Sequence, residues 1–117
     1  MSFHYDGKMF RAVVNSPGGQ VTTGTLFRYA QSGNLLTAEY SGGGIRAGQM
    51  LGLVDPQGGL HFCYQHVTEG GELRSGACTS TPERLPDGRI RLHEQWQWTL
   101  GASSGGRSIV EEVPAAG

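Results

Sequence analysis

The sequence predicts an all-β domain: a single eight-stranded antiparallel up-and-down meander, closed into a barrel. Three observations lead there. Glycine is abundant, 20 of 117 residues with no collagen period. The glycines cluster between runs rich in Thr, Val, Tyr and Trp, the pattern of short strands joined by tight turns. No window of eleven or more residues carries a helical period. And the clearest strand, Arg89 to Trp98, sets Ile90, Leu92, Glu94, Trp96 and Trp98 on one side and Arg89, Arg91, His93, Gln95 and Gln97 on the other. That alternation gives one buried and one wet face.

Taken in order, the expected strands are 8–15, 21–31, 34–41, 45–55, 60–68, 73–80, 89–99 and 107–113. Between them stand Ser16-Pro17-Gly18-Gly19-Gln20, Ser32-Gly33, Gly42-Gly43-Gly44, Pro56-Gln57-Gly58-Gly59, Glu69-Gly70-Gly71-Glu72, Thr81-Pro82-Glu83-Arg84-Leu85-Pro86-Asp87-Gly88 and the loop 100–106. Connections this short join antiparallel neighbours rather than parallel crossovers. The domain covers 1–117, with 1–6 and 114–117 expected as loosely ordered termini.

Centring each turn on its glycines predicts a register. It sets Val14 against Val21, Tyr29 against Leu36, Tyr40 against Ile45 and Leu53 against Leu60. One face then carries Phe10, Ala12, Val14, Val21, Thr23, Thr25, Phe27, Tyr29, Leu36, Ala38, Tyr40, Ile45, Ala47, Gln49, Leu51, Leu53, Leu60, Phe62, Tyr64 and His66. A one-residue slip would turn any strand inside out, so agreement across four turns is informative. A sheet with one apolar face and no helix to cover it does best by curling shut, which also removes its edges.

The net charge of -1 and pI near 6.4 argue against nucleic acid and anionic membrane surfaces as partners. No apolar run reaches the roughly 18 residues of a membrane-spanning helix. Residues 1–6 have neither a basic nor an apolar signal region, so the expected location is the cytoplasm.

The run Gly88-Arg89-Ile90-Arg91-Leu92-His93-Glu94-Gln95-Trp96-Gln97-Trp98-Thr99-Leu100-Gly101, with a short loop and a last strand after it, resembles the penultimate strand of avidin-type barrels. Those barrels belong with lipocalins and fatty-acid-binding proteins in the calycin group. The resemblance implies a calycin-like barrel with a small ligand in its mouth. In the first strand, Gly7-Lys8-Met9-Phe10-Arg11 lacks the Trp and the Asn/Ser pair that hold biotin's ureido ring, which argues against biotin. Over nearly its full length the chain also resembles a family of small uncharacterised bacterial proteins. The shared residues are Phe10-Arg11, Tyr40-Ser41-Gly42-Gly43, Tyr64-Gln65-His66 and Gly76-Ala77-Cys78-Thr79-Ser80-Thr81-Pro82-Glu83. Some members carry the label N-acetylglutamate synthase. A common acetyltransferase needs a Gln/Arg-x-x-Gly-x-Gly/Ala loop opening a helix that holds the pyrophosphate. The nearest run here, Gln49-Met50-Leu51-Gly52-Leu53-Val54, ends in Val inside a strand, so the residues do not support the label.

The predicted inner face carries more polar groups than a packed core tolerates, and Glu94 stands in the middle of an apolar row. Three readings follow. In the first, the barrel binds a small molecule in a cavity of roughly a few hundred Å3. Trp96 and Trp98 would wall it, and Tyr29, Tyr40, Gln49, Tyr64, His66 and Glu94 would orient the ligand. In the second, His66 and Glu94 form an acid–base pair in a small enzyme. In the third, the barrel is filled and Val13, Leu26 and Met50 form the interface of a homodimer. No cofactor is expected. His4, His61, His66 and His93 show no metal-ligand spacing. Cys63 and Cys78 are expected opposite one another across a hairpin, as small buried hydrophobes rather than a disulfide. Gly42-Gly43-Gly44 lacks the Lys-Ser/Thr and the helix of a phosphate loop, and is expected as a turn.

Overall fold

The computed structural model describes residues 3–15, 22–100 and 104–114. It contains β1 (Met9–Asn15), β2 (Leu26–Ser32), β3 (Leu35–Gly42), β4 (Ile45–Val54), β5 (Leu60–Thr68), β6 (Leu73–Arg84), β7 (Ile90–Leu100) and β8 (Gly105–Glu112). Each strand pairs antiparallel with the next, and β8 returns to β1, so the barrel is closed in sequence order. The predicted architecture is therefore the observed one.

Two strands depart from the expected limits by more than two residues. β2 starts at Leu26, because Thr22–Thr25 forms a turn in which the Thr25 amide donates to the Thr22 carbonyl at 2.9 Å. Residues 16–21, including the first expected turn and Val21, lie outside the described residues. β6 runs on through Pro82 to Arg84, because its hairpin to β7 is a tight loop at Leu85–Arg89 rather than the long turn expected.

That loop is one of three alike. In Asp55–Gly59, Thr68–Glu72 and Leu85–Arg89, the first amide donates to the last carbonyl at 2.8–2.9 Å. In each, the fourth residue, Gly58, Gly71 or Gly88, takes a left-handed φ of 85–91°. A loop of three residues ending in left-handed glycine is a standard hairpin closure. Its odd length shifts the pairing by one residue from a turn centred on two glycines. β6 consequently turns Gly76, Cys78 and Ser80 inward, while Thr79 faces out. Cys63 pairs with Ala77, not Cys78. Cys63 is exposed outside and Cys78 is buried inside, so the expected juxtaposition does not occur.

β4 is inverted relative to the prediction. Gly42 pairs with Ile45, but Tyr40 pairs with Gly48, so β4 holds one extra residue, a bulge at Arg46–Ala47. Beyond it Gly48, Met50 and Gly52 face in, whereas Gln49, Leu51 and Leu53 face out. Met50, expected on an outer interface, is a core residue. The glycines have a packing reason: a Cβ on Gly48 would collide with the Tyr40 ring, and one on Gly52 with Phe62 and the His61 carbonyl. A second bulge, between Ala12 and Val14, leaves Val13 and Val14 both outside and turns Asn15 toward the interior.

The interior is layered. At one end Tyr5, Phe10, Leu36, Leu60, Ile90, Leu92 and Val110 form an apolar plug, each at most 1 % exposed. Residues 3–6, expected as a loose terminus, supply part of it: Tyr5 is wholly buried and its hydroxyl donates to the Gly58 carbonyl. Above the plug lies a polar layer around Glu94. Above that is an aromatic mouth.

Candidate functional site

Glu94 faces inward because β7 alternates, and the neighbouring strands place a serine directly opposite it on either side. Ser80 of β6 and Ser108 of β8 are its cross-strand partners. Ser108 Oγ donates to Oε1 at 2.7 Å and Ser80 Oγ donates to Oε2 at 3.3 Å. Burial pushes the Glu94 carboxyl above its ordinary range, and the two serine hydroxyls offset part of that shift.

Around this carboxyl lie Tyr29, Cys78, Tyr40 and Tyr64. Burial raises all four, and the Glu94 carboxylate adds to each. The Tyr29 hydroxyl is buried without a hydrogen-bond partner among the described residues. An unsatisfied buried hydroxyl is costly, so such groups call for a water or a ligand atom.

The mouth is built from rings. Trp98 lies 5.4 Å from Trp96, 5.7 Å from Tyr64 and 5.7 Å from His66, centroid to centroid. His66 Nδ1 and the Tyr40 hydroxyl are 2.8 Å apart. Burial, with the Arg74 guanidinium second, lowers the His66 imidazole to about 4, so it is neutral at physiological pH. The rings fit because small residues face them: Tyr40 lies across Gly48, and Tyr64 across Gly76, where a Cβ would strike its hydroxyl end. At the rim, the Arg74 guanidinium sits 5.8 Å from the Trp98 ring centroid and 3.1 Å from a Glu72 oxygen.

These rings enclose a cavity of about 50 Å3, lined by Asn15, Phe27, Tyr40, Met50, Phe62, Tyr64, His66, Cys78, Glu94, Trp96, Trp98 and Ser108. It is much smaller than the few hundred Å3 expected, because both tryptophans and both tyrosines fold into the mouth. Tyr64 and Trp96 are only partly buried, so the cavity meets solvent along their edges.

The model of the family described as "Avidin-like protein" matches residues 3–113, almost the whole described chain. The chain belongs to the avidin-like family. No curated protein and no solved structure matches it significantly.

Within this avidin-like barrel, the residues singled out from the sequence fall into three groups. Tyr40, Tyr64, His66, Glu94, Trp96 and Trp98 line one cavity. Tyr29 is inside, one layer nearer the plug, packed 4.7 Å from Phe10. Gln49 is not in the site: the β4 bulge puts it on the outer surface, 3.4 Å from Gln65 Nε2. The expected His66–Glu94 pair takes a different form, with His66 bonded to Tyr40 and Glu94 to the two serines. Sequence reasoning missed Ser80, Ser108, Asn15 and Met50. The Leu85–Arg89 loop, with its three-residue closure, is what places Ser80 opposite Glu94.

Proposed function

We propose that this avidin-like barrel binds a small, partly apolar ligand whose polar head enters the aromatic mouth and meets Glu94. The observation that carries the reading is a single cavity combining ring walls with one buried carboxyl that, among the described residues, accepts from two serines. Ligand sites have this composition, apolar walls with a few placed polar groups. Trp96, Trp98 and Tyr64 would flank the apolar part. Glu94, with Asn15 and Ser108 beside it, would orient the head.

Binding is favoured over acid–base catalysis by two features. The neutral imidazole of His66 is engaged by Tyr40 through Nδ1. The thiol of Cys78 is pushed up by burial and by Glu94, away from the thiolate a nucleophile needs.

Thermal-shift screening of a metabolite library against the wild type and Glu94→Gln tests this. A ligand at a hundred times its Kd should stabilise the wild type by about 2.7 kcal/mol, and the folded variant should lose most of that shift. A library without a single hit on the wild type would sink the binding reading.

A second copy of this chain is the partner we propose for the outer face of β3–β6. The middle of that face carries Leu35, Thr37, Leu51, Leu53, Cys63, Ala77 and Thr79, with His61 between Leu53 and Thr79 and Glu39 at its margin. Its test is the oligomeric state in solution.

A further inference from the structure

We propose that the head recognised in the mouth is cationic: the cavity takes a small organic ammonium, primary or methylated, with its charge against Glu94 and its carbons against the tryptophan and tyrosine rings. The inference rests on the binding reading above and names its ligand class. It starts from the charges that face the cavity. Among the lining residues Glu94 is the only Asp, Glu, Lys or Arg. His66, the other titratable nitrogen of the site, is held neutral by burial and by Arg74. An anionic head would meet a buried carboxyl with no cation lining the cavity to compensate it. A cation would supply the counter-charge that no Lys or Arg among the described lining residues gives this carboxyl.

The walls suit the same head. Six of the twelve lining side chains are Phe, Tyr or Trp. Their faces are the electron-rich surfaces on which ammonium groups bind in aromatic cages. Trp98 already accepts a cation at the rim, where the Arg74 guanidinium lies 5.8 Å from its ring centroid. Hydrogen bonding points the same way. Each Glu94 oxygen receives one serine hydroxyl, at 2.7 and 3.3 Å, and a carboxylate oxygen accepts more than one donor. One layer deeper, the Tyr29 hydroxyl is buried without a hydrogen-bond partner among the described residues. The Glu94 oxygens therefore have room for further N–H donors, which an ammonium carries and an ether, ester or carboxylate does not.

Size sets how much of the ligand enters. A cavity with about 50 Å3 open to the centres of water-sized spheres holds roughly three to five waters, at about 10–15 Å3 of such space each. The ammonium and its first carbons fill it, and the rest of the molecule extends past Trp96 and Tyr64 toward solvent.

The only two tryptophans of the chain are Trp96 and Trp98, so intrinsic tryptophan fluorescence reports this site alone. The test titrates the wild type with three probes of one shape and different charge: n-butylammonium, n-butanol and n-butyrate. The expected result is a saturable change with butylammonium at a Kd about tenfold or more below that of butanol, and none with butyrate. Glu94→Gln, shown folded by circular dichroism, should bring butylammonium and butanol to the same Kd. If the variant does not fold, the wild-type comparison decides alone. Equal binding of butanol and butylammonium, or a preference for butyrate, would overturn the cationic head while leaving a ligand site in place. Silence with all three probes would overturn the inference, and only an empty metabolite screen would remove the binding reading with it.

Discussion

At the scale of single residues, two buried titratable groups set opposite pH dependences. Glu94 is raised above 4.5 by burial, so the unfolded chain releases this proton at lower pH than the folded one. Its contribution is fully present below about pH 4.5 and is lost as pH rises through the folded value. His66 is lowered from 6.5 to about 4, so its contribution is present above pH 6.5 and is lost as pH falls toward 4. Urea unfolding at pH 4.5, 6 and 8 separates the two. The stability difference between Glu94→Gln and wild type should move in the variant's favour as pH rises, and His66→Gln should remove part of the wild type's acid-side loss. A difference that stays flat with pH would mean that neither group titrates abnormally. The oddity of Glu94 was legible in the sequence as a carboxylate in an apolar row. Its two serine partners were not, because they lie 14 residues away on either side and their faces depend on loop length.

At the scale of elements, turns decide which side chains meet. All eight strands were legible from alternation and glycine, but parity failed on β4, on β6 and at Val14 past the β1 bulge. Alternation survives a shift of one residue in a strand such as Gln49-Met50-Leu51-Gly52-Leu53, where both faces read as half apolar. The information lay in the glycines. Gly48 and Gly52 are small because rings lie on them, an inward signal that looks like weakness in a strand. The Tyr40 ring over Gly48 is fixed by Phe27 at 4.9 Å and by its bond to His66, so it has little room to give. Gly48→Ala should therefore cost about 1–3 kcal/mol, as overpacking does. Gly70→Ala is the control. Its nearest atom to an added Cβ is Thr68 Oγ1 at 3.9 Å and its φ is not left-handed, so it should unfold within about 0.5 kcal/mol of wild type. Equal midpoints in urea for both variants would show that the Tyr40 ring can move aside, and the description of the mouth would have to change with it.

At the scale of the whole molecule, the corrected β4 register moves leucines from the core to the surface. Leu51, Leu53 and Leu35 are 60 %, 53 % and 45 % exposed, and Leu35 pairs directly with Leu53. The interface expected from Val13, Leu26 and Met50 loses Met50, which points inward, and the leucine patch is the one we propose in its place. Elsewhere the surface is busy with charge: Arg91 meets Glu111 at 2.7 Å, Arg89 meets Asp87 at 2.7 Å and Lys8 meets Glu112 at 3.2 Å. Those groups keep the β7–β8–β1 side wet. A standard interface buries roughly 800 Å2 per partner, about an eighth of this chain's 6453 Å2. One face of the barrel suffices for that. Two sheets meeting there would pack about 10 Å apart, and a two-fold axis would bring each residue of the patch against the same patch of the second copy. Leu51, between Thr37 and Cys63 in the register, lies in the middle of it. Leu51→Asp would then place two carboxylates in one desolvated interface, where unpaired buried charge costs several kcal/mol. The expected outcome in light scattering is a wild type with a multiple of the 12.5 kDa chain mass and a folded variant at the chain mass itself. The mouth lies inside the barrel and the patch outside, so the variant should still change its tryptophan fluorescence with butylammonium. A wild type that is monomeric at tens of micromolar would remove the interface and leave the binding site untouched.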